Sequence, residues 1–296
     1  MTKKYEDYVK KLNHTRRITS QFLIVEKTIK KTKTNKPYLE LVLQDKTGQI
    51  IGRMFNKKTR NIFDKIEEGN IYNINGKVQE FPVDTNNYNI LIDNIILAKN
   101  YDEKEFIIQI ENQDSHIEYL INTIKEIEDK DLKNILISLF EDELFFEKFI
   151  SAPAAKKHHH NYKGGLLVHT NEVVEICKTI STIYEDIDSD LLITGAILHD
   201  IGKIETYDYQ TEQININNKG ILLDHIFIGA CIVKEKINSL NISEKRKNDI
   251  LHLILSHHGD VELGWGSSVS PKLPEAIALH QADDMSAKIS KSLKFN

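Results

Sequence analysis

The sequence predicts a multidomain chain: an N-terminal all-β barrel, an acidic helical connector and a C-terminal all-α domain. Three observations predict it. The apolar period is two from about residue 17 to residue 98 and three to four beyond it. Charge divides at nearly the same place: residues 1–100 hold 19 Lys+Arg against 11 Asp+Glu, residues 101–150 hold 5 against 14, and residues 151–296 hold 15 against 19. Ten of the twelve histidines follow residue 150. The whole-chain charge of −5 argues against a nucleic-acid binder, yet it averages a net +8 front block with two acidic ones. At 296 residues, 40% hydrophobic and 28% charged, the chain is globular and long enough for two cores. The expected segments are an extension over 1–13, the barrel over 14–100, the connector over 101–152 and the second domain over 153–296.

The first strand is β-branched over 18–32 and ends in a polar turn at 32–37. The next, 37–45, alternates strictly: Leu39, Leu41 and Leu43 share one face, and Tyr38, Glu40, Val42 and Gln44 share the other. Asp45-Lys46-Thr47-Gly48 then reads as a hairpin turn into a third strand at 49–56, where Gly52 fits a barrel bend. A short helix over 58–69 is closed by Gly69, and strands at 71–81 and 88–98 follow. Three strands, a helix and two strands is the order of an OB-fold, a five-stranded barrel that commonly binds single-stranded nucleic acid.

From 117 to 150 apolar residues recur every three or four positions among acidic ones, as in a helical connector with one packed face. Pro153 breaks that run. The chemistry lies beyond it. His169 sits in the first turns of a helix entered through Gly164-Gly165, and an apolar helix over 189–198 presents His199-Asp200, with Gly202 as its stop. His225 opens another helix, His257-His258 end one before Gly259, and Asp283 lies within the last. Two costly polar groups at the end of an apolar helix need compensation. Imidazole with carboxylate suits divalent Mn, Fe, Mg or Zn, and a carboxylate bridging two ions would make a binuclear hydrolytic centre. His252 and His280 read as non-ligand helical histidines. Cys177 and Cys231 are isolated and read as small buried hydrophobes, outside any disulfide framework or thiolate metal site.

The order H…HD…H…HH…D resembles the HD superfamily of metal-dependent phosphohydrolases in its expanded, two-metal form. With the segment containing His158, His159, His160 and His169, the HDIGK motif and the OB-like front, the chain resembles the YhaM-type 3′→5′ exoribonucleases over nearly its whole length. The resemblance implies that His169, His199, Asp200 and Asp283 hold a first ion. Asp200 would bridge to a second held by His225, His257 and His258. Lys203 would stabilise charge on the phosphate, with Asp200 and Lys203 as the catalytic pair, and His159 and His160 would meet substrate or support those that do. Ser286 stands where family members often carry an acidic residue, at a position not expected to ligate. The absence of a Gly-Tyr-Pro near the HD pair weakens a cyclic-dinucleotide phosphodiesterase reading.

The basic front supplies a track for single strands, whose bases stack on aromatics. Arg53 and Lys57 are the candidate cations, Tyr38 and Phe55 the candidate platforms, and Phe81 and Tyr88 further aromatics near strand ends. The N-terminus lacks a signal-peptide run and no stretch reaches membrane-spanning length, so a cytoplasmic protein without a membrane partner is expected. The reading is a metal-dependent 3′→5′ exoribonuclease with two divalent ions, Mn²⁺ first and Fe²⁺, Co²⁺, Mg²⁺ or Zn²⁺ behind it. Its partner would be single-stranded RNA, with single-stranded DNA a second candidate and a homo-oligomer left open. The alternatives are an HD-type nucleotide phosphohydrolase or cyclic-dinucleotide phosphodiesterase, and a non-catalytic nucleic-acid-binding scaffold.

Overall fold

The computed structural model describes residues 3–56, 59–108, 110, 112–155, 162–208 and 214–293. The chain divides into two compact units, residues 1–109 and 110–295.

The first unit is a closed five-stranded barrel. Its strands β1 (Arg16–Lys31), β2 (Pro37–Asp45), β3 (Gly48–Met54), β4 (Ile71–Glu80) and β5 (Tyr88–Leu97) follow the order β1-β2-β3-β5-β4 around the barrel. One long strand serves two neighbours. The first half of β1 pairs with β4 and the second with β2, and the change of partner coincides with a register shift between Ile24 and Glu26. A bulge at that point lets one strand turn a barrel corner. Closure comes from the parallel pairing of β3 with β5 at Gly52↔Ile90 and Arg53↔Leu91. The short helix α1 (Thr59–Lys65) connects β3 to β4.

The alternation in β2 puts Leu39, Leu41 and Leu43 in the core with Phe22, Ile24, Ile74, Val78 and Ile90. Alternation fails at the strand end, where Gln44 and Asp45 are both buried. Gln44 lies on the face opposite the leucines, and its amide donates to the Phe106 carbonyl at 2.9 Å. At Gly52 a Cβ would lie 2.7 Å from Ile92 Cδ1 and 2.8 Å from Leu43 Cδ1, so interior side chains claim its space. Residues expected as an N-terminal extension pack on the barrel. Leu12 enters its core, and Lys3 forms an enclosed 2.8 Å ion pair with Asp45.

The segment expected as a connector divides. Phe106 completes a small cluster with Leu23, Ile71 and Ala98 of the barrel unit. The acidic helices α2 (Gln113–Glu126), α3 (Lys130–Phe140) and α4 (Glu143–Ser151) instead join the second unit, where Leu120, Leu132, Leu136, Leu139 and Phe149 are part of the main core. Their charges are partly structural. Asp129 and Asp142 cap the first turns of α3 and α4, and Arg246 bridges Asp129 (2.7 Å) to Asp188 (2.5 Å), the cap of a later helix.

That later helix, α6 (Ser189–Leu198), is apolar all round and buried from Leu191 to Leu198. Around it pack α5 (Gly165–Ile183), α8 (Glu244–Ser256) and α9 (Pro274–Leu293), with α7 (Asn218–Ser239) against α8. A two-stranded ribbon, β6 (Tyr207–Asp208) and β7 (Asn215–Ile216), precedes α7. Cys177 is buried as expected, whereas Cys231 is exposed because it falls on the outer face of α7. Among the described residues no helix is long and apolar enough to cross a membrane.

Candidate metal centre

Burial of α6 on every side carries its C-terminal end into the interior, and this places His199 and Asp200 there. Asp200 has φ −103° and ψ 9°, in the sparsely populated bridge region where the helix turns into a 3₁₀ segment, Ile201–Glu205. Gly202 is not the expected left-handed stop. A Cβ on it would lie 2.0 Å from the His225 carbonyl oxygen and 2.6 Å from the Gly229 nitrogen, so it is a glycine because α7 presses on the 3₁₀ segment. Gly259, by contrast, does end α8 with φ 88°. Within α7, Asp224 interrupts the helix at φ 62° and ψ 154°, a conformation that costs a non-glycine residue on the order of 1–3 kcal/mol. Its carboxylate accepts from the Ile226 amide at 3.0 Å and meets His225 Nδ1 at 2.8 Å, so the interruption aims the His225 ring.

All seven residues expected as ligands converge. His169 Nε2 lies 3.3 Å from His199 Nε2, 3.1 Å from Asp283 Oδ1 and 3.5 Å from Asp200 Oδ2. His199 Nε2 is 3.3 Å from the same Asp200 oxygen. The other oxygen, Oδ1, lies 3.3 Å from His225 Nε2 and 3.7 Å from His257 Nε2. Two donor groups result, His169/His199/Asp200 and His225/His257/His258, each with ligand atoms close enough to share an ion. Asp200 faces both, one oxygen to each.

The outer nitrogens explain why the inner ones point inward. Nδ1 of His199 donates to the Ala196 carbonyl (2.8 Å) and that of His257 to the Ile254 carbonyl (2.7 Å), each three residues back in its own helix. Nδ1 of His258 donates to the Trp265 carbonyl, that of His225 to Asp224, and that of His169 to the Ser286 hydroxyl at 3.2 Å. With Nδ1 protonated in all five, five Nε2 lone pairs face the same space. Three buried atoms there, Asp200 Oδ1, His225 Nε2 and His257 Nε2, have no hydrogen-bond partner. Lone pairs facing one another beside orphaned carboxylate oxygen are costly when buried and are satisfied by cations. The donor set, nitrogen and oxygen without thiolate, fits divalent ions.

Electrostatics agree. Burial would raise the Asp200 carboxyl, but Lys203, His199 and His225 outweigh it and hold it well below the carboxylate range. Burial opposes ionisation of Asp283 as well, but the neighbouring His169 and His199 outweigh it and hold the carboxyl below the usual carboxylate range. His257 is pushed well below the usual imidazole range by burial and by the neighbouring His258 and His199, so it is a neutral imidazole. Lys203 is buried, which disfavours its charge, yet Asp200 at 2.5 Å raises it and keeps it an ammonium.

The barrel candidates behave less uniformly. Tyr38 and Phe55 stack at 4.9 Å and 24°, and Phe55 remains 55% exposed. Arg53 is tied to Glu40 at 2.9 Å and lies 5.3 Å over the exposed Phe81 ring, so its charge is already partnered. Lys57, His158, His159 and His160 lie outside the described residues. His252 accepts from the Lys272 amide and His280 donates to the His257 carbonyl, both away from the cluster. Sequence reasoning passed over Asp224, although its adjacency to His225 was a usable signal. The carbonyls of Ala196, Ile254 and Trp265 left none, because a backbone acceptor has no side-chain identity.

Two family models match the chain: an HD domain over residues 166–288 and an OB-fold nucleic-acid-binding domain over residues 23–98. Among curated relatives, the 3′-5′ exoribonuclease YhaM of Listeria welshimeri is 31% identical over 276 residues, covering 91% of this chain and 85% of the relative. The proteins of the same name from Geobacillus sp. and Bacillus subtilis are 30% and 29% identical, each over 91% of this chain and over 82% and 85% of their own lengths. With both domain models in sequence order and near-full-length similarity at that level, the chain belongs to the YhaM family.

Proposed function

We propose that this chain is a cytoplasmic, metal-dependent 3′→5′ exoribonuclease that captures single-stranded RNA on its barrel and releases nucleoside 5′-monophosphates at the histidine–aspartate cluster. The observation that carries the reading is the convergence of buried Nε2 atoms on the two oxygens of Asp200, with Lys203 against the same carboxylate. The curated relatives carry the corresponding name. His169, His199, Asp200 and Asp283 would hold one divalent ion, and Asp200, His225, His257 and His258 a second. Mn²⁺ is the first choice for a mixed imidazole and carboxylate set. Bound there, such ions supply Lewis acidity and an activated water for phosphodiester attack.

The chain's own residues do the rest. Asp200 stays anionic inside the protein because Lys203 and the imidazoles surround it, and so it can serve both donor groups. The carbonyls of Ala196 and Ile254 hold the His199 and His257 rings in one tautomer. The Lys203 ammonium, held within the 3₁₀ segment against Asp200, neutralises charge that grows on the phosphoryl oxygens. On the barrel, the exposed Phe55 edge of the Tyr38–Phe55 stack offers a base a surface.

The test is a 5′-labelled single strand incubated with Mn²⁺ and wild-type or Asp200→Asn protein. Stepwise shortening from the 3′ end with mononucleotide products is expected for the wild type. Asp200→Asn is expected to slow it by about 10²-fold or more while filter retention of RNA persists. Internal cuts as the first products would refute the proposal.

A further inference from the structure

We infer that Ser286 and Glu172 form a positioning relay for His169, presetting the tautomer with which that residue meets a divalent ion. The inference rests on reading the cluster as an ion site and adds two residues that lie outside its ligand set.

Glu172 sits on α5 one turn after His169, and Ser286 on α9 three residues after Asp283. The Ser286 hydroxyl donates to Glu172 Oε2 at 2.7 Å, and its oxygen lies 3.2 Å from His169 Nδ1. Ser290, one turn further along α9, reaches the same Glu172 oxygen at 3.3 Å. A carboxylate only accepts, so the single hydroxyl proton of Ser286 goes to Glu172. The lone pair that remains on Oγ must then accept, and His169 Nδ1 must carry the hydrogen. Imidazole, hydroxyl and carboxylate thus form a chain with one direction, and its polarisation is cooperative.

The competing arrangement shows why His169 needs this. Its Nε2 is 3.1 Å from Asp283 Oδ1. If Nδ1 lost its acceptor, the imidazole would place its hydrogen on Nε2 and donate to Asp283. That would spend both a ligand nitrogen and a ligand oxygen on each other. His199 and His257 escape the problem because carbonyls in their own helices hold Nδ1. His169 lies in the second turn of α5, where the carbonyls behind it are engaged by later amides of the helix, so its acceptor must come from a neighbouring element. The hydroxyl of α9 supplies it, and the same helix delivers Asp283. Ser286 is by this account the link between His169 and a carboxylate on α5. The ligands His225, His257 and His258 make no contact with the relay in these hydrogen bonds, so its influence belongs to one donor group.

The experiment is calorimetric titration of metal-stripped full-length protein with Mn²⁺ alone, with no RNA present. Wild type, Ser286→Ala, Ser286→Thr and Glu172→Gln are compared, and melting of each metal-free protein reports folding. Loss of an outer partner typically lowers metal affinity about 10–100-fold. Ser286→Ala is expected to weaken one binding phase by that factor and leave the other within threefold. Ser286→Thr, which keeps the hydroxyl, restores the phase, and Glu172→Gln falls between. Equal affinities for all four proteins, equal weakening of both phases in Ser286→Ala, or failure of Ser286→Thr to restore the phase would overturn the relay while leaving the ion site standing. A wild type that binds no Mn²⁺ would overturn the ion site and the relay together.

Discussion

A carboxylate enclosed by imidazoles stays anionic only if positive charge reaches it, and for Asp200 the nearest permanent charge is Lys203. This gives Lys203 two tasks. It maintains the Asp200 anion, and in the proposed function it would offer an ammonium to the phosphate as charge develops. An interaction that strengthens in the transition state appears in kcat more than in KM. Lys203→Met is therefore expected to lower kcat by about 10²–10³-fold with little change in KM, and Lys203→Arg to recover part of the loss. Steady-state rates on a short RNA measure it, and a change confined to KM would count against the role. At this scale the sequence was informative where polar residues interrupted apolar helices, as at His199 and Asp200. It was silent where the partner is a carbonyl, as for the acceptors of His199 and His257, because any residue supplies one.

At the scale of elements, the site depends on how closely α7 approaches the 3₁₀ segment after α6. Gly202 makes that approach, since a Cβ would enter the His225 carbonyl. Backbone cannot yield as a flexible side chain can, so Gly202→Ala is expected to destabilise the helical unit by about 3 kcal/mol or more and to displace His225. Chemical unfolding and Mn²⁺ affinity read the two effects, and an unchanged midpoint would refute the packing account. In the barrel, the enclosed pair of Lys3 and Asp45 has a pH signature. Burial lowers the Lys3 ammonium from 10.5 to about 8, and Asp45 offsets this only in part. Between those values the unfolded chain keeps a proton that the folded chain has lost, so stability rises as pH climbs from about 8 toward 10.5. The full linkage is roughly 3 kcal/mol. Wild type is thus expected to gain stability relative to Lys3→Met between pH 8 and 10, as urea midpoints would show. Periodicity revealed the strands and helices themselves. It did not reveal that β1 serves two partners, or that the acidic helices join the second core, because both are set by which apolar faces meet.

Over the whole molecule, the basic front third and the histidine-rich second half correspond to a barrel and a helical unit joined in one chain. The proposed division of labour can be separated experimentally. Phe55→Ala removes an exposed aromatic surface from the barrel, and a stacked base contributes about 1–3 kcal/mol. RNA retention is expected to fall about 10-fold, with kcat at saturating RNA unchanged and affinity falling further as salt increases. Unaltered retention would take Phe55 out of the interface. The sequence by itself determined the order of a barrel followed by helices and singled out the seven histidines and aspartates that the structure brings together, though not where the connector would divide. Hydrophobic period and the cost of polar groups in apolar helices are local properties, visible in one dimension. Only the tertiary structure decided which Asp200 oxygen faces which histidines, that Arg53 is already partnered, and that Ser286 supports His169. Those facts depend on side chains from different elements meeting at hydrogen-bond distance: β2 with β3 at Arg53, α5 with α9 at Ser286, and α5 and α7 around the end of α6 at Asp200.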